Sequence, residues 1–177
     1  MKRIITFCLL LAGITANAQD SHNLINNFFK DRNNILNWQI IRETNLSRTQ
    51  MIDAIIETGL YDKVDVTENS IVCEFKPYKV NYEQYGFSIF ESSTVVSTNL
   101  VTATVIFELK AERYRTTVKN IRFIQNTDSA SGMVTTIEDE SLTRQQDIRF
   151  SILKNTTKVL DKDFTAKTAL IKQSEEW

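Results

Sequence analysis

The chain has 177 residues, the length of one domain, and its 42% hydrophobic and 24% charged residues are ordinary for a globular protein. Four glycines and one proline exclude fibrous and low-complexity classes. A formal net charge of −1 lacks the basic excess that neutralises nucleic-acid phosphates, so we predict no nucleic-acid partner.

The first eighteen residues (1–18) have the three parts of a secretory signal peptide. Lys2 and Arg3 are basic, residues 4–14 form an apolar run too short to cross a bilayer, and Ala16-Asn17-Ala18 is a small-residue cleavage site. Cys8 lies inside the apolar run, where it does not fit a lipoprotein signal. We predict cleavage after residue 18 and a periplasmic or secreted mature chain with no transmembrane segment. Cleavage removes two of the 21 basic residues, so 19 remain against 22 acidic residues and the net charge becomes −3.

Residues 19–37 are rich in asparagine and predict an N-terminal extension. This extension is either a mobile leader or a loose helix with Leu24, Phe28 and Ile35 on one side. A single folded domain is predicted over residues 38–177, and it starts with the β-like segment that follows Trp38.

A helix is predicted over residues 47–58. Ser47 and Gln50 have the spacing of a capping box, in which each side chain accepts a hydrogen bond from the other residue's backbone N–H. Gly59 suits the left-handed position that ends a helix, and Leu60 follows it at the position that packs back in a Schellman ending.

Two short strands are predicted within residues 64–75, on either side of a Glu-Asn turn. Their register pairs Val66 with Ile71 and Val64 with Cys73. Cys73 is the one cysteine left after cleavage, so we predict a buried, small apolar side chain and no intrachain disulfide. The following residues, 78–98, are the most aromatic part of the chain. They predict either a loop followed by an edge strand or an irregular lid.

Residues 100–124 predict a long hairpin, because apolar and polar residues alternate on both sides of a central turn. The register places Glu108 opposite Arg115, a favourable cross-strand pair. The alternation shifts near Asn120, which predicts a β-bulge there.

The C-terminal part predicts a polar loop over residues 126–138 and then a helix from about Ser141 to about Leu170, with a possible break near Asp161–Asp163. Together these elements predict an α+β fold, an antiparallel sheet covered by a short helix and a long C-terminal helix.

This order of elements, with Glu112-Arg113-Tyr114-Arg115 at the start of the last strand, resembles an exported bacterial family of domains of unknown function with a TATA-binding-protein-like (TBP-like) fold. The resemblance covers residues 38–123, and relatives tend to carry a glycine where this chain has Glu112. It implies a TBP-like fold and supplies no function, because the family has none assigned. A fold name alone does not imply DNA binding.

Residues with catalytic or metal-binding chemistry are scarce. His22 is the only histidine and lies in the predicted extension, so it is poorly placed to hold a nucleophile or a metal ion. We therefore predict no catalytic residue, no metal and no cofactor, and an enzyme that uses only carboxylates and tyrosines remains the alternative.

Two groups of candidate binding residues stand out. Arg113 and Arg115 lie on one strand face beside Tyr114, and the two guanidinium groups either clamp an anion or serve structurally through the Glu108 pair. Aromatic side chains after the second strand either line a ligand mouth between sheet and helix or pack into the core. They are Tyr78, Tyr82, Tyr85, Phe87 and Phe90.

Ser129, within Asp128-Ser129-Ala130, matches a short O-glycosylation acceptor pattern of some envelope-secreting bacteria. Taken together, the export signal and the lack of catalytic groups predict a non-enzymatic periplasmic module that binds an envelope protein, an envelope polymer or a small ligand. The alternative is a hydrophobic-ligand protein with an apolar pocket between sheet and helix.

Overall fold

The computed structural model describes residues 25–125, 133–141 and 150–170. Eight strands in this part of the chain form one antiparallel sheet: β1 Phe28–Lys30, β2 Leu36–Glu43, β3 Tyr61–Val66, β4 Ser70–Phe75, β5 Tyr78–Lys79, β6 Asn99–Lys110, β7 Arg113–Gln125 and β8 Val134–Thr136. The helices are α1 Arg48–Glu57, α2 Thr94–Thr98, α3 Ile137–Ser141 and α4 Phe150–Lys167, with a 3₁₀ turn at Glu83–Tyr85.

The strand order is β1-β2-β7-β6-β4-β3, with β5 also beside β6 and β8 also beside β7. The predicted α+β architecture is confirmed, including the short helix after the first long strand and a C-terminal helix against the sheet. That helix, α4, continues without a break through Asp161–Asp163, and the side chains of Asp161 and Asp163 accept hydrogen bonds from the sheet side.

The core lies between one face of the sheet and the helices. Phe164 of α4 is fully buried among three aromatic rings of the sheet side. Its ring centroid is 5.7 Å from that of Trp38, 6.0 Å from Phe75 and 6.3 Å from Phe28. Aromatic rings at these separations contribute both buried area and favourable edge or offset contacts. Phe164 therefore attaches α4 to the sheet.

The predicted β6–β7 hairpin and its register are confirmed. Glu108 lies opposite Arg115, and Glu112 takes the left-handed conformation (φ 58°) that the tight turn requires. The register shifts opposite Thr102–Thr104, and Asn120 has φ 53°, so the bulge predicted near Asn120 is present. The bulge becomes important for the groove described below.

The predicted helix α1 is also confirmed, together with its capping box. The Gln50 N–H donates to Ser47 Oγ, and the Ser47 N–H donates to Gln50 Oε1 at 2.9 Å. At the other end Gly59 has φ 63°, as its position after the helix predicted. The Leu60 N–H donates to the Thr58 hydroxyl, which itself donates to the Ile55 carbonyl.

Replacing Ser47 with alanine is expected to lower the free energy of unfolding by about 1 kcal/mol, because the Gln50 N–H loses its acceptor. Denaturant titration measures this loss. Thr49→Ala, an exposed position in the same first turn, is the control and should cost less. Equal losses for the two variants would contradict a capping role for Ser47.

The β3–β4 hairpin differs from the prediction in one detail. Val66 does pair with Ile71, but the register shifts between Asp62 and Asp65, so Val64 is not in the predicted pair with Cys73. Lys63 takes a left-handed conformation (φ 50°) inside this irregularity. A bulge on an edge strand twists it and blunts edge-to-edge pairing, which periodicity alone does not predict.

The N-terminal residues depart from the predicted loose helix. From residue 25 onward they belong to the sheet, and β1 pairs with β2 through Phe28 opposite Trp38. Phe28 and Leu36 are both about 1% exposed, so the core includes side chains that precede Trp38. Single apolar residues among asparagines gave no periodic signal for so short a strand.

Two further segments also differ. Thr94–Thr98 forms α2, so the edge-strand alternative for this stretch is wrong. Residues 134–136, placed in the predicted polar loop, form β8, and helix α3 begins at Ile137. Both differences reflect tertiary packing: Val95 and Val96 are buried in the core, and β8 extends the ladder beside β7.

Candidate functional site

The predicted aromatic group does not line an open mouth; two of its three tyrosines bind an aspartate of α4. The Tyr78 hydroxyl donates to Asp163 Oδ2 at 2.5 Å, and the Tyr85 hydroxyl donates to Asp163 Oδ1 at 3.1 Å. Lys167, one turn further along α4, places its amine 4.0 Å from Oδ1 and 4.5 Å from the Tyr78 ring centroid. Asp163 is fully buried.

Burial dominates the electrostatics of this cluster. It raises the pKa of the Asp163 carboxyl above its ordinary value, although both tyrosine hydrogen bonds and the Lys167 amine act in the opposite direction. Burial and the neighbouring carboxylate also raise the pKa of Tyr78 well above its ordinary value, and that of Tyr85 to about 12. The tyrosines are therefore protonated donors at neutral pH, and the cluster attaches the segment after β4 to α4.

Two further aromatic candidates, Phe87 and Tyr82, also pack against the body of the domain. Phe87 is buried, and the amine of Lys158 on α4 lies 5.1 Å from the centroid of its ring. Tyr82 is partly buried against the core. The structure thus brings Tyr78 and Tyr85 together on one carboxylate and sets four of the five aromatic candidates against the body of the domain, whereas Phe90 is exposed.

The predicted group at residues 113–115 lies on both faces of β7, with Arg113 and Arg115 on one face and Tyr114 on the other. Arg115 forms a bidentate pair with Glu108, at 2.8 and 2.7 Å, in the cross-strand position predicted from the sequence. Arg113 is exposed at the end of the hairpin. Since Arg115 already has a carboxylate partner, the pair lacks the two open guanidinium groups that an anion clamp needs.

Tyr114 lies on the opposite face and is buried at the end of α4. Its hydroxyl donates to the Thr168 carbonyl at 3.3 Å and accepts from the Leu170 N–H at 3.1 Å. Arg42 of β2 donates to the Thr165 carbonyl at 2.7 Å in the same region. Carbonyls at a helix end have no partner within the helix, so these side chains complete the termination of α4.

A groove on the sheet was not predicted from the sequence. Because β6 occupies one edge of β7 throughout, β2 and β8 share the other edge: β2 pairs with residues 113–118 and β8 with residues 122–124. The gap between them falls at the bulge near Asn120. Glu138 bridges this gap by accepting a 2.8 Å hydrogen bond from the Leu36 N–H.

The groove that opens there has a volume of about 650 Å³. Glu74 and Thr104 alternate with core residues along their strands, so this part of the lining faces away from α4. Most of the lining side chains are polar, with several planar amide, carboxylate or guanidinium groups. They are Asn33, Asn34, Ile35, Glu74, Thr104, Asn120, Arg122, Thr136 and Glu138.

Several of these groups already have partners, and Arg122 does not. Glu74 pairs with Lys63 at 3.0 Å, and the Asn120 amide donates to the Thr104 hydroxyl at 3.3 Å. Among the residues that the structure describes, the exposed Arg122 guanidinium makes no hydrogen bond or ion pair, so its donors face the groove and solvent. Asn34 and Asn120 both have positive φ. Asparagine tolerates this conformation and often marks such bends, so these two asparagines are the signal for the groove that the sequence contains.

Among the residues that the structure describes, the remaining cysteine and acidic side chains form no second candidate site. Cys73 is fully buried, as predicted, and burial raises the pKa of its thiol to about 12. Within residues 25–125, 133–141 and 150–170, no three histidine, cysteine or acidic side chains converge as a metal site, and no helix is long and apolar enough to span a membrane. The predicted glycosylation residue Ser129 lies outside the described residues.

Comparison with known proteins gave two similar structures. No protein-family model and no curated protein matches the chain. A TBP-like protein from Parabacteroides distasonis ATCC 8503 is 11% identical, with 75% of this chain and 90% of that chain covered and a TM-score of 0.45. A DUF4468 family protein from Bacteroides ovatus ATCC 8483 is 12% identical, with 88% and 94% covered and a TM-score of 0.47. Neither description states a ligand or an activity.

Proposed function

We propose that this protein is a non-enzymatic binding module of the bacterial cell envelope that takes a polar ligand into the groove beside Arg122. The observation that carries the proposal is a groove of about 650 Å³ whose lining offers both donors and acceptors, including a guanidinium group that no described residue engages. Ligand sites combine such concavity with a few convergent polar groups.

The groups in the groove suit binding better than catalysis. Glu138 accepts the Leu36 N–H, and Glu74 is paired with Lys63, so each carboxylate already has a partner. The Thr136 hydroxyl donates to Asp139 at 2.8 Å. A general base or a nucleophile must itself be free to hydrogen-bond with the substrate. These groups instead bind other residues of the protein.

Polar chemistry is favoured over the hydrophobic-ligand alternative because of where the aromatic side chains lie. Trp38, Phe75 and Phe164 fill the layer between sheet and α4, and Tyr78 and Tyr85 are bound to Asp163. An apolar ligand in that layer would have to displace these contacts. The groove instead offers amides and hydroxyls, which hydrogen-bond to sugars, peptides and similar polar groups.

Residence in the envelope rests on the signal-peptide features of residues 1–18. Soluble fragments of envelope polymers are therefore the first ligands to test. They present hydroxyl and amide groups, which match the lining of the groove.

Replacing Arg122 with alanine is expected to weaken ligand binding about tenfold or more, because the ligand loses charge-assisted hydrogen bonds. Chemical-shift titration of the ¹⁵N-labelled protein with peptidoglycan fragments, neutral oligosaccharides and dipeptides measures this effect. The bound ligand should shift the amide signals of Asn34, Asn120 and Arg122.

Arg113→Ala is the matched control, since Arg113 is another exposed arginine of β7 but lies outside the groove. It should leave both the affinity and the pattern of shifts unchanged. Binding that depends on Arg113 and not on Arg122, or shifts confined to other surfaces, would contradict the proposed site.

A further inference from the structure

A short turn between the 3₁₀ turn and α2 exposes two large apolar side chains next to each other. Phe90 is 91% exposed and Ile89 is 58% exposed. Isolated exposed apolar residues are common on soluble proteins, whereas an adjacent pair at the tip of a loop is a typical contact element. We call residues 88–91 the apolar tip.

The backbone of the apolar tip is hydrogen-bonded within the turn. Glu91 Oε2 accepts from the Ser88 N–H at 3.0 Å and from the Ser88 hydroxyl at 2.9 Å. The N–H groups of Glu91 and Ser92 both donate to the Ser88 carbonyl at 3.1 Å, and the Ser92 hydroxyl donates to the Ile89 carbonyl at 3.3 Å. The turn thus holds its shape while it exposes the two apolar side chains.

Both ends of the apolar tip are attached to α4. On the N-terminal side Phe87 is buried and the Tyr85 hydroxyl is bound to Asp163. On the C-terminal side the Thr156 hydroxyl donates to the Ser93 hydroxyl at 2.7 Å. Because both ends of the turn are held in place, Ile89 and Phe90 lose little conformational entropy when they bind to another surface.

We propose that the apolar tip inserts Ile89 and Phe90 into the interfacial region of a lipid bilayer and so holds the domain reversibly at a membrane surface. The hydrogen bonds of this turn satisfy the N–H groups of Ser88, Glu91 and Ser92, and only the side chains of Ile89 and Phe90 need to leave water for the interfacial region. A stable protein partner would instead require about 800 Å² from each side, far more than two side chains supply.

The charges beside the apolar tip indicate the kind of lipid surface. Hydrogen bonds from Ser88 hold the pKa of the exposed Glu91 below its ordinary value, so this group is anionic at neutral pH. Lys158 of α4 is the nearby cation that acts on the same carboxylate. Because Glu91 and Lys158 carry opposite charges, insertion should depend on apolar area and not on anionic lipid or on salt.

Co-sedimentation with lipid vesicles tests this proposal. The protein is purified from cells in its naturally processed form. Vesicles of phosphatidylcholine alone and vesicles with 30% phosphatidylglycerol, about a third anionic lipid, should bind the protein equally at low and high salt. The double substitution Ile89→Ser with Phe90→Ser should lower the partition coefficient at least tenfold, since the burial of even one side chain of this size contributes about a tenfold change or more.

The control is the double variant Ile41→Ser with Ile56→Ser, because these isoleucines are 60% and 58% exposed elsewhere on the domain. It should bind vesicles as the unsubstituted protein does. Equal losses in both double variants, or binding that appears only with anionic lipid and disappears in salt, would overturn the proposal. Absence of binding to either kind of vesicle would also overturn it and would favour a protein partner for the apolar tip.

Discussion

Replacing Phe164 with alanine is expected to lower the free energy of unfolding by about 3–5 kcal/mol, the range for large-to-small substitutions of a buried aromatic residue. Phe164 is fully buried and has the rings of Phe28, Trp38 and Phe75 around it. The variant would leave a cavity where α4 meets the sheet. Urea titration followed by far-UV circular dichroism measures the loss.

Phe90→Ala is the control for that measurement, since it removes the same side chain from a position that is 91% exposed. It should change the free energy of unfolding by less than about 0.5 kcal/mol. A loss below about 1 kcal/mol for Phe164→Ala would contradict the packing of α4 described above.

The second large effect is expected at Asp163. Asp163→Ala removes the acceptor of the Tyr78 and Tyr85 hydroxyls, and a buried donor without a partner costs about 1–3 kcal/mol. Denaturant titration at pH 7 measures this cost. Asp53→Ala, an exposed aspartate on α1, should be close to neutral.

The pH dependence of stability distinguishes the charge of Asp163 from its hydrogen bonds. Its folded-state pKa is raised by burial, so the folded protein holds a proton that the unfolded chain releases. The stability that this proton contributes is complete below the carboxyl's ordinary pKa of 3.8 and is lost as the pH rises through the folded-state value.

Relative to Asp163→Asn, the unsubstituted protein should therefore lose stability as the pH rises from about 4, and the difference should level off above the folded-state pKa. Denaturant titrations of both proteins across this pH range measure the difference between their free energies of unfolding. The contributions of the other carboxyl groups are the same in both proteins and cancel in this difference. An increase with pH would show that the hydrogen bonds and Lys167 outweigh burial.

Local sequence patterns predicted the parts of the fold whose contacts are close along the chain. Ser47 and Gln50 defined the start of α1, and the alternation around a two-residue turn gave both the β6–β7 register and the Glu108–Arg115 pair. Capping and hairpin formation are decided within a few residues, so the sequence contains the whole signal.

Contacts between distant segments could not be predicted in the same way. The aromatic residues after β4 were recognised as a group, but nothing local indicates that Tyr78 and Tyr85 meet Asp163, 85 and 78 residues further along the chain. Likewise β1 and β8 are three residues long and exist because longer strands offer them an edge.

The groove is the clearest example of this limit. It forms where β2 and β8 end against one edge of β7, and the loop with Asn33 and Asn34 comes from a segment predicted to be a loose helix or mobile leader. The bulge at Asn120 was predicted, yet its role in opening the sheet depends on strands far from it in sequence. Arg122, the exposed arginine of the groove, lies outside the Glu112–Arg115 motif on which the predicted arginine site was based.

Helix α4 connects the two surfaces for which we propose functions. It supports the apolar tip through Asp163 and Thr156, and it packs by Phe164 on the sheet whose opposite face carries Glu74 and Thr104 of the groove. With the tip in a bilayer, the groove would be held close to a membrane surface.

A crystal structure of the protein with the tightest-binding envelope fragment from the titrations tests the binding proposal most directly. Ligand density should lie between the Asn33–Asn34 loop and Arg122, within hydrogen-bond distance of the guanidinium group. Density in the aromatic layer beneath α4, or on a surface that leaves Arg122 in solvent, would contradict the proposed function.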